Sequence, residues 1–468
     1  MEDDTNAWRP GALGTLSASS KAQLEQKLEE GRSDFLDALE SAPGDLEGDA
    51  GHKFICNSAY QMKALVESGL QGRQGDALAS MKLAKQFQTE QSYVRYFNEL
   101  VTTLGHWNKW EKIIELLELL DNPLSDNCST AIHRLIHRAA KACNRGPTVD
   151  ELYHKATCKP DTYEPHPMET RTYWAFFKRF VLNDAETARA MLNEVIDSSH
   201  EDVDVVDRAA KYLANIVIDD FSAALNLEDK EKAVEEMEEL QDRLKKRFGF
   251  EFEAGLSPAA APLAIMRRQM GPARVFKEHL DTAFESCLGS LRDSWDGNDL
   301  KGFRNLARIM FLFPSLHLDA KVALYCRFYE ITLDFQVFRL QDTGYYPIIC
   351  DMCRKRVHNP GCCDLCANGE HDVRFRHHYV CLMCSSVDLC HECYESRSRP
   401  QTRSDVDVCP RSHEYIDVFV HDWLDIEECG TDLVLGYGGT KVKFRDEWLQ
   451  GLEKKWHVAW EEYWKTGK

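Results

Sequence analysis

Apolar side chains recur three and four residues apart through residues 54–340, which is the spacing of the buried face of an amphipathic helix. One such stripe covers residues 93–104 and stops at Gly105, and a second covers residues 110–120 and stops at Pro123. Comparable stripes continue to about residue 331. The pattern therefore predicts a mainly α protein over this stretch.

Antiparallel pairs of helices of this length are typical of an α-solenoid or of a tetratricopeptide-like array. The segment 104–123 resembles part of a tetratricopeptide unit, since a Leu-Gly step precedes Ile113 and Leu117 at packing positions and Pro123 closes it. No strict self-similarity at about 34 residues is visible. We predict a helical-repeat, tetratricopeptide-like domain over residues 51–342, and an irregular helical bundle is the alternative.

Different patterns flank this helical region. Residues 1–50 are dominated by Gly, Ser, Ala, Asp and Glu and are predicted to be a disordered tail, with a helix near residues 21–39 as the alternative. Residues 415–420 alternate like a strand, and residues 433–444 are expected to form a hairpin. An amphipathic helix is predicted over residues 448–464, and we interpret its tryptophan stripe as core packing. Residues 421–468 should therefore form a short α+β C-terminal extension.

The charge of the chain narrows the range of partners. A net charge of −20 argues against a nucleic-acid partner, because phosphate binding needs a positive face, but it suits cationic peptides. The N-terminus shows no secretory pattern, and the most apolar windows are far too short to cross a bilayer, so no membrane partner is expected. We expect an intracellular protein, cytoplasmic or nuclear, where clustered thiols bind zinc rather than form disulfides.

Cysteine is concentrated late in the chain, where eleven of the 17 cysteines fall between residues 350 and 429. Most of them form Cys-x-x-Cys pairs, whose thiolates can reach one tetrahedral zinc from a tight turn, so that two pairs close a structural site. The pairs are Cys350/Cys353, Cys363/Cys366, Cys381/Cys384 and Cys390/Cys393, and they are followed by Cys409 and His413.

The spacing Cys381-x2-Cys384-x5-Cys390-x2-Cys393, with Asp388-Leu389 before the last pair and Tyr379 before the first, resembles the ZZ-type zinc finger. This family is a small cross-braced module that holds two zinc ions. The resemblance covers residues 345–420, and helical arrays that end in such a finger resemble fungal ZZ proteins. It implies a small two-zinc finger that follows the helical domain.

The resemblance also implies how the ligands divide between two structural Zn²⁺ ions, because the pairs of such fingers interleave. The first zinc would take Cys350, Cys353, Cys390 and Cys393. The second zinc would take Cys381, Cys384, Cys409 and His413. The family usually supplies two histidines at the last two positions, and thiolate and imidazole are both good zinc ligands.

An insertion between the first two pairs leaves the first site open to alternatives. Cys363 and Cys366 also match the Cys-Asp-x-Cys pattern, so they are alternative ligands that would replace Cys350 and Cys353. A third metal ion or a metal-free thiol loop are the other interpretations. We favour Cys350 and Cys353, because the apolar residues 348–349 suit the strand that enters such a finger.

Histidines outside this region give a weaker signal. His133 and His137 have the i, i+4 spacing of a metal pair, but Arg134 stands where a metallopeptidase motif needs its catalytic glutamate. We interpret both as ordinary helix-face histidines. The sequence also contains no P-loop and no GxSxG motif.

Zinc with four protein ligands has no open position for substrate, so the predicted ions are structural and the protein is predicted not to be an enzyme. We expect a non-catalytic scaffold whose finger recognises a protein partner. The resemblance implies recognition of cationic N-terminal peptides, with Asp351 at the amino-group position and Asp388 at a side-chain position. The alternatives are that Asp351 only caps its own turn, and that the module docks a conjugating enzyme in ubiquitin ligation.

Overall fold

The structure of the protein is a computed structural model. It describes residues 26–27, 30, 33, 50–69, 72–87, 96–120, 123–124, 128–157, 167–198, 202–249, 257–271, 274–292, 299–324, 326–327, 377–384, 387–396, 409, 413–419, 428–429, 432–433, 435–437, 440–442 and 445–466. The chain divides into two compact units, of which the first contains residues 1–188 and 402–406 and the second contains residues 189–401 and 407–468. The predicted domain limits at residues 342 and 420 lie outside the described residues, and so does most of the predicted tail.

The first unit is built from helices that follow one another closely along the chain. They are α1 (Ala50–Gly69), α2 (Gln74–Gln86), α3 (Phe97–His106), α4 (Trp110–Leu119), α5 (Thr130–Ala142), α6 (Gly146–Thr157) and α7 (Pro167–Phe180). Helix α1 contacts α2 and α3, α3 contacts α4 and α5, and α5 contacts α6 and α7. This order is that of consecutive helical hairpins, and it confirms the mainly helical prediction. A repeated sequence unit stays a prediction.

The junction between α3 and α4 differs in detail from its prediction. Helix α3 does not break at Gly105 but runs through it to His106, and the turn that follows uses Asn108, whose φ is 54°. Gly105 makes room for close packing, because a Cβ atom there would lie 2.9 Å from a terminal methyl group of Leu135, which would have to move. Glycine therefore allows α5 to approach α3 closely.

The second unit begins with α8 (Ala185–Asp197), within which the boundary lies, and continues through five further helices. These are α9 (Val203–Ala223), α10 (Leu227–Phe248), α11 (Ala260–Met270), α12 (Arg274–Arg292) and α13 (Asp299–Met310). Side chains cap two of them, since Asp202 accepts from the amide of Asp204 at 2.9 Å and Asn226 accepts from Asp229 at 2.8 Å. Neighbouring helices pack in sequence, with α9 against α10 and α12 against α13.

A small antiparallel sheet follows these helices in the order β2-β1-β3. Its strands are β1 (His377–Cys381), β2 (Asp388–Cys390) and β3 (Tyr415–Phe419), and the short helix α14 (His391–Ser396) follows β2 directly. Tyr379 lies opposite Leu389 on one side and opposite Asp417 on the other. The strand predicted over residues 415–420 is thus confirmed.

The C-terminal segment has the predicted α+β character. Two short ribbons pair β4 (Glu428–Cys429) with β5 (Asp432–Leu433) and β6 (Leu435–Tyr437) with β7 (Thr440–Val442). Helix α15 (Arg445–Thr466) ends the described chain. Trp448, Trp456 and Trp460 are buried, and Trp456 stacks on Phe284 of α12 with ring centroids 4.2 Å apart. Its indole also donates to Asp281 at 2.8 Å.

We also compared the described helices with the length and apolarity that a bilayer crossing demands, and none of them meets both requirements.

Candidate metal centre

The centre begins at the end of β1, where the chain turns back at Cys381. The amide of Cys381 donates to the carbonyl of Val387 at 3.0 Å, and the amide of Leu382 donates to the carbonyl of Glu414 at 2.9 Å. The amide of Cys384 then points back and donates to the Sγ atom of Cys381 at 3.2 Å. The Cys-x-x-Cys spacing therefore forms a tight turn that presents two sulfur atoms on one side.

Cys409 and His413 complete a group of four around this turn. The Sγ atom of Cys409 lies 3.5 Å from that of Cys381, and Nδ1 of His413 lies 3.6, 3.4 and 3.3 Å from the sulfur atoms of Cys381, Cys384 and Cys409. The four ligand atoms all lie within 4.8 Å of one another. All four residues are buried. The structure thus brings together the four residues that sequence analysis had assigned to the second zinc.

These distances fit a single tetrahedral ion. Zinc–sulfur bonds of about 2.3 Å and zinc–nitrogen bonds of about 2.0 Å at tetrahedral angles place sulfur atoms ~3.8 Å apart and sulfur and nitrogen ~3.5 Å apart. The distances from Cys409 to Cys381 and from His413 to the three sulfur atoms fall close to these values. Three thiols and one imidazole in this arrangement could bind a metal ion.

The pKa values of the three thiols diverge because the thiols are buried against one another and against His413. Burial raises the pKa of Cys381, but hydrogen bonds with Cys384, Cys409 and His413 outweigh it and hold that pKa well below its ordinary value. The hydrogen bond with Cys381 raises the pKa of Cys384 well above normal, and burial does the same to Cys409. A divalent ion bound between them would favour the thiolate form of all three cysteines.

Groups outside the four ligands support two of them. The hydroxyl of Tyr415 on β3 donates to the Sγ atom of Cys409 at 2.9 Å. Nε2 of His413 lies 3.5 Å from the hydroxyl oxygen of Ser222 at the end of α9. Such outer contacts orient ligands and stabilise thiolates at metal sites.

A group of buried arginines lies behind the centre, and sequence analysis missed it. Arg304 of α13 donates to the carboxylate of Asp388 at 2.8 Å and to the carbonyl of Val387 at 3.1 Å. Arg308, one turn later, donates to the carbonyl of Leu382 at 2.7 Å. The available signal was two arginines four residues apart in a helix with an otherwise mostly apolar second half, and the structure buries residues 302–310 throughout.

Asp388 is buried, whereas its predicted contact with a peptide side chain needs an exposed carboxylate. Its carboxylate is buried and accepts from Arg304 and Arg327, and Nε2 of His378 lies 3.2 Å away. Burial raises its pKa, but the arginines outweigh this effect and hold the pKa well below its ordinary value. Contact with a peptide stays a prediction for this residue, and it would require displacement of Arg304.

The other predicted ligands are described only in part. Cys390 at the end of β2 and Cys393 in α14 are buried, and this pair could also bind a metal ion. The remaining members of the predicted set lie outside the described residues, namely Cys350, Cys353, Cys363, Cys366 and the candidate peptide contact Asp351. The composition of the first site therefore stays a prediction.

His133 and His137 lie one turn apart on a face of α5 that is buried. Nδ1 of His133 and Nε2 of His137 each lie 2.8 Å from the hydroxyl oxygen of Tyr153 on α6. His133 also stacks on Tyr173 of α7, with ring centroids 4.0 Å apart. A phenol can donate to one imidazole and accept from the other, so this arrangement satisfies one nitrogen of each ring within the protein.

Comparison with known proteins adds no assignment, since the chain matches no family model, and no curated protein or solved structure is significantly similar to it.

Proposed function

We propose that this protein is a non-catalytic scaffold in which structural zinc orders a ZZ-type finger, and that the finger docks a protein or peptide partner. The observation that carries the proposal is the convergence of Cys381, Cys384, Cys409 and His413 on one tetrahedral position. A set rich in thiolate with one imidazole is the donor set of structural zinc sites.

The geometry of the centre supports a structural role. Four protein ligands saturate tetrahedral zinc, so neither water nor substrate finds an open coordination position. All four residues are buried, which keeps them from a reacting molecule. The chemistry that remains for such a centre is to hold the turn at residues 381–384 and the strand β3 rigidly together.

The partner that fits best is a cationic N-terminal peptide. The chain carries a net charge of −20, which favours approach of positive ligands. Asp351 is the acidic position that we assign to the peptide amino group, since a carboxylate fixed beside a metal-bound turn accepts charge-assisted hydrogen bonds. Asp388 is left out of this assignment, because its carboxylate is engaged by Arg304.

Metal stoichiometry tests the first half of the proposal. Elemental analysis of the full chain should find two zinc ions per molecule, and one of them should be lost in Cys384→Ser. Cys350→Ser should lose the other, whereas Cys363→Ser should keep both. Cys143→Ser is the matched control, since this thiol lies between α5 and α6, outside the Cys-x-x-Cys cluster. A chain that purifies without bound metal under reducing conditions would overturn the proposal.

A binding assay tests the second half. Immobilised peptides with varied N-termini should retain the protein when the first residues are basic and the amino group is free. Asp351→Ala should lose most of this binding, and Asp364→Ala, the aspartate of the neighbouring Cys-Asp-x-Cys pair, should keep it. Equal binding by both variants, or autoubiquitination by the purified protein, would contradict a peptide-docking scaffold.

A further inference from the structure

Arg308 occupies an unusual place for a charged residue. It lies in α13 among apolar neighbours, and its side chain is 0% exposed. Its Nε atom donates to the carbonyl of Leu382 at 2.7 Å, and one of its terminal nitrogens donates to the carbonyl of Met383. These are the two residues between Cys381 and Cys384, so the guanidinium binds the back of the metal-binding turn with two parallel hydrogen bonds.

One peptide group links the contact between Arg308 and Met383 to a ligand sulfur atom. The carbonyl of Met383 and the amide of Cys384 belong to one peptide group. The carbonyl end accepts from Arg308, and the amide end donates to Sγ of Cys381 at 3.2 Å. Hydrogen bonds in such a chain polarise one another, so a cation at the carbonyl strengthens the amide as a donor. Arg308 therefore acts on the Cys381 thiolate through a single peptide group.

The charges around Arg308 also favour an interaction with the metal-loaded centre. Within the described part of the chain, the hydrogen-bond acceptors of Arg308 are two carbonyls and the amide oxygen of Asn305, and none of them is charged. Asp388 is a carboxylate whose charge acts on Arg308, but its hydrogen bonds go to Arg304 and Arg327. A divalent ion with three thiolates and an imidazole carries one net negative charge, which is the counter-charge that a buried guanidinium needs.

We propose that Arg308 is a positioning residue for the metal centre: it holds the thiolate turn through its carbonyls, and it and the metal-loaded centre neutralise each other. This proposal rests on the proposed function, because it needs the ion at Cys381, Cys384, Cys409 and His413. Helix α13 and the finger then form one cooperative unit, in which metal occupancy orders the helix and the helix retains the metal.

The ionisation of Arg308 is compatible with this role. Burial and the neighbouring Arg304 lower its pKa to about 10, and the thiols of Cys381 and Cys384 act in the opposite direction. The guanidinium therefore stays charged at neutral pH. Arg304 faces Asp388 instead, which leaves Arg308 as the cation directed at the turn.

The test compares Arg308→Met and Arg308→Lys with Arg292→Met in the full-length chain. Arg292 is the matched control, since it pairs with Glu453 in a partly exposed ion pair of the same unit. Zinc retention is measured by competition with a chelator. We expect Arg308→Met to weaken zinc binding roughly 10- to 100-fold, as loss of an outer contact does at other metal sites. Arg308→Lys should recover part of the loss, and Arg292→Met should bind like the wild type.

A spectroscopic measurement separates this role from simple destabilisation. With Co²⁺ in place of zinc, the sulfur-to-cobalt charge-transfer band should move to lower energy in Arg308→Met, because a thiolate with weaker hydrogen bonds donates electrons more readily. A folded Arg308→Met protein with wild-type zinc retention and an unshifted cobalt band would overturn this proposal. The proposed metal site would not be affected by that result. If Arg308→Met does not fold, the same two readouts on Arg308→Lys decide. Wild-type protein that binds no metal would overturn the proposed function itself.

Discussion

Each unit buries a cluster of titratable side chains, and the two clusters provide partners for their polar atoms in different ways. In the first unit the imidazoles of His133 and His137 share the hydroxyl of Tyr153, at 2.8 Å from each. In the second unit three thiols and His413 face one another with sulfur and nitrogen atoms 3.3–3.6 Å apart. A neutral phenol bridges the imidazoles of the first cluster, whereas the ligand atoms of the second cluster are spaced to hold a metal ion.

The difference shows why two similar sequence signals have different meanings. An i, i+4 histidine pair and a Cys-x-x-Cys pair both suggest metal ligands. Imidazole, however, accepts and donates ordinary hydrogen bonds, so a neutral partner can satisfy it in the interior. Thiols are weak hydrogen-bonding groups, and several buried together gain most when they ionise around a metal. The following measurements test this contrast, beginning with the largest effect.

Metal removal should separate the two regions most clearly. Chelation under reducing conditions should abolish hydrogen-exchange protection in β1, β3 and α13, because structural zinc contributes ~10 kcal/mol or more to the folding of small zinc modules. Protection in α5–α7 should persist, since the hydrogen bonds of the cluster there involve a phenol rather than a metal ion. Equal loss of protection in both regions, or in neither, would contradict the contrast.

Asp388→Asn should destabilise the second unit by about 3–5 kcal/mol, because it leaves Arg304 buried beside a neutral partner. Native-state hydrogen exchange of β2 and α13 measures the change. Glu453→Gln is the control, because its ion pair with Arg292 is partly exposed and should contribute under about 1 kcal/mol. A similar loss of stability in both variants would mean that the buried ion pair contributes no more than the exposed one.

Tyr153→Phe should destabilise the first unit by about 3 kcal/mol, because two buried imidazoles lose their shared hydroxyl. Hydrogen exchange of α5 and α6 reports the change, and the zinc content should not alter. Tyr60→Phe is the matched control in the same unit, since it preserves the ring stack on Phe87. A Tyr153→Phe protein as stable as this control would mean that the hydroxyl contributes nothing.

The smallest expected effect is a pH dependence in the first unit. Burial first, and then the charges of His133 and Arg134, hold the pKa of His137 well below 6.5. Below pH 6.5 the imidazole of His137 therefore binds a proton in the unfolded chain but stays neutral in the folded chain. Stability from this residue is complete above pH 6.5 and is lost as the pH falls, by up to about 1.4 kcal/mol per pH unit.

Hydrogen exchange of α5–α7 at pH 7, 6 and 5, corrected for the intrinsic exchange rate, should show this loss in the wild type. His137→Gln keeps a polar group opposite Tyr153 but cannot titrate, so its stability should change less over the same range. An identical slope in both proteins would assign the pH dependence to other groups.

Short-range patterns in the sequence were sufficient to predict much of the secondary structure. The spacing of apolar residues predicted the helices of both units and the amphipathic helix that became α15, and alternation predicted the strand that became β3. The resemblance to the ZZ-type finger implied that Cys381, Cys384, Cys409 and His413 share one ion, and the structure brings these four residues together. The helical and strand periods are local signals that extend over a few residues, and the Cys-x-x-Cys spacing depends on one turn.

Other features depend on residues that are distant in sequence. Arg308 binds carbonyls 74 and 75 residues later in the chain, and Asp388 changes from a predicted surface group to a buried one because Arg304 reaches it from α13. The break expected at Gly105 became a helical contact with Leu135 for a similar reason. The sequence by itself determined which segments are helical and which side chains can hold a metal. Only the tertiary structure decided which charges those segments bury together, because burial and pairing depend on packing between helices and strands rather than on the spacing within them.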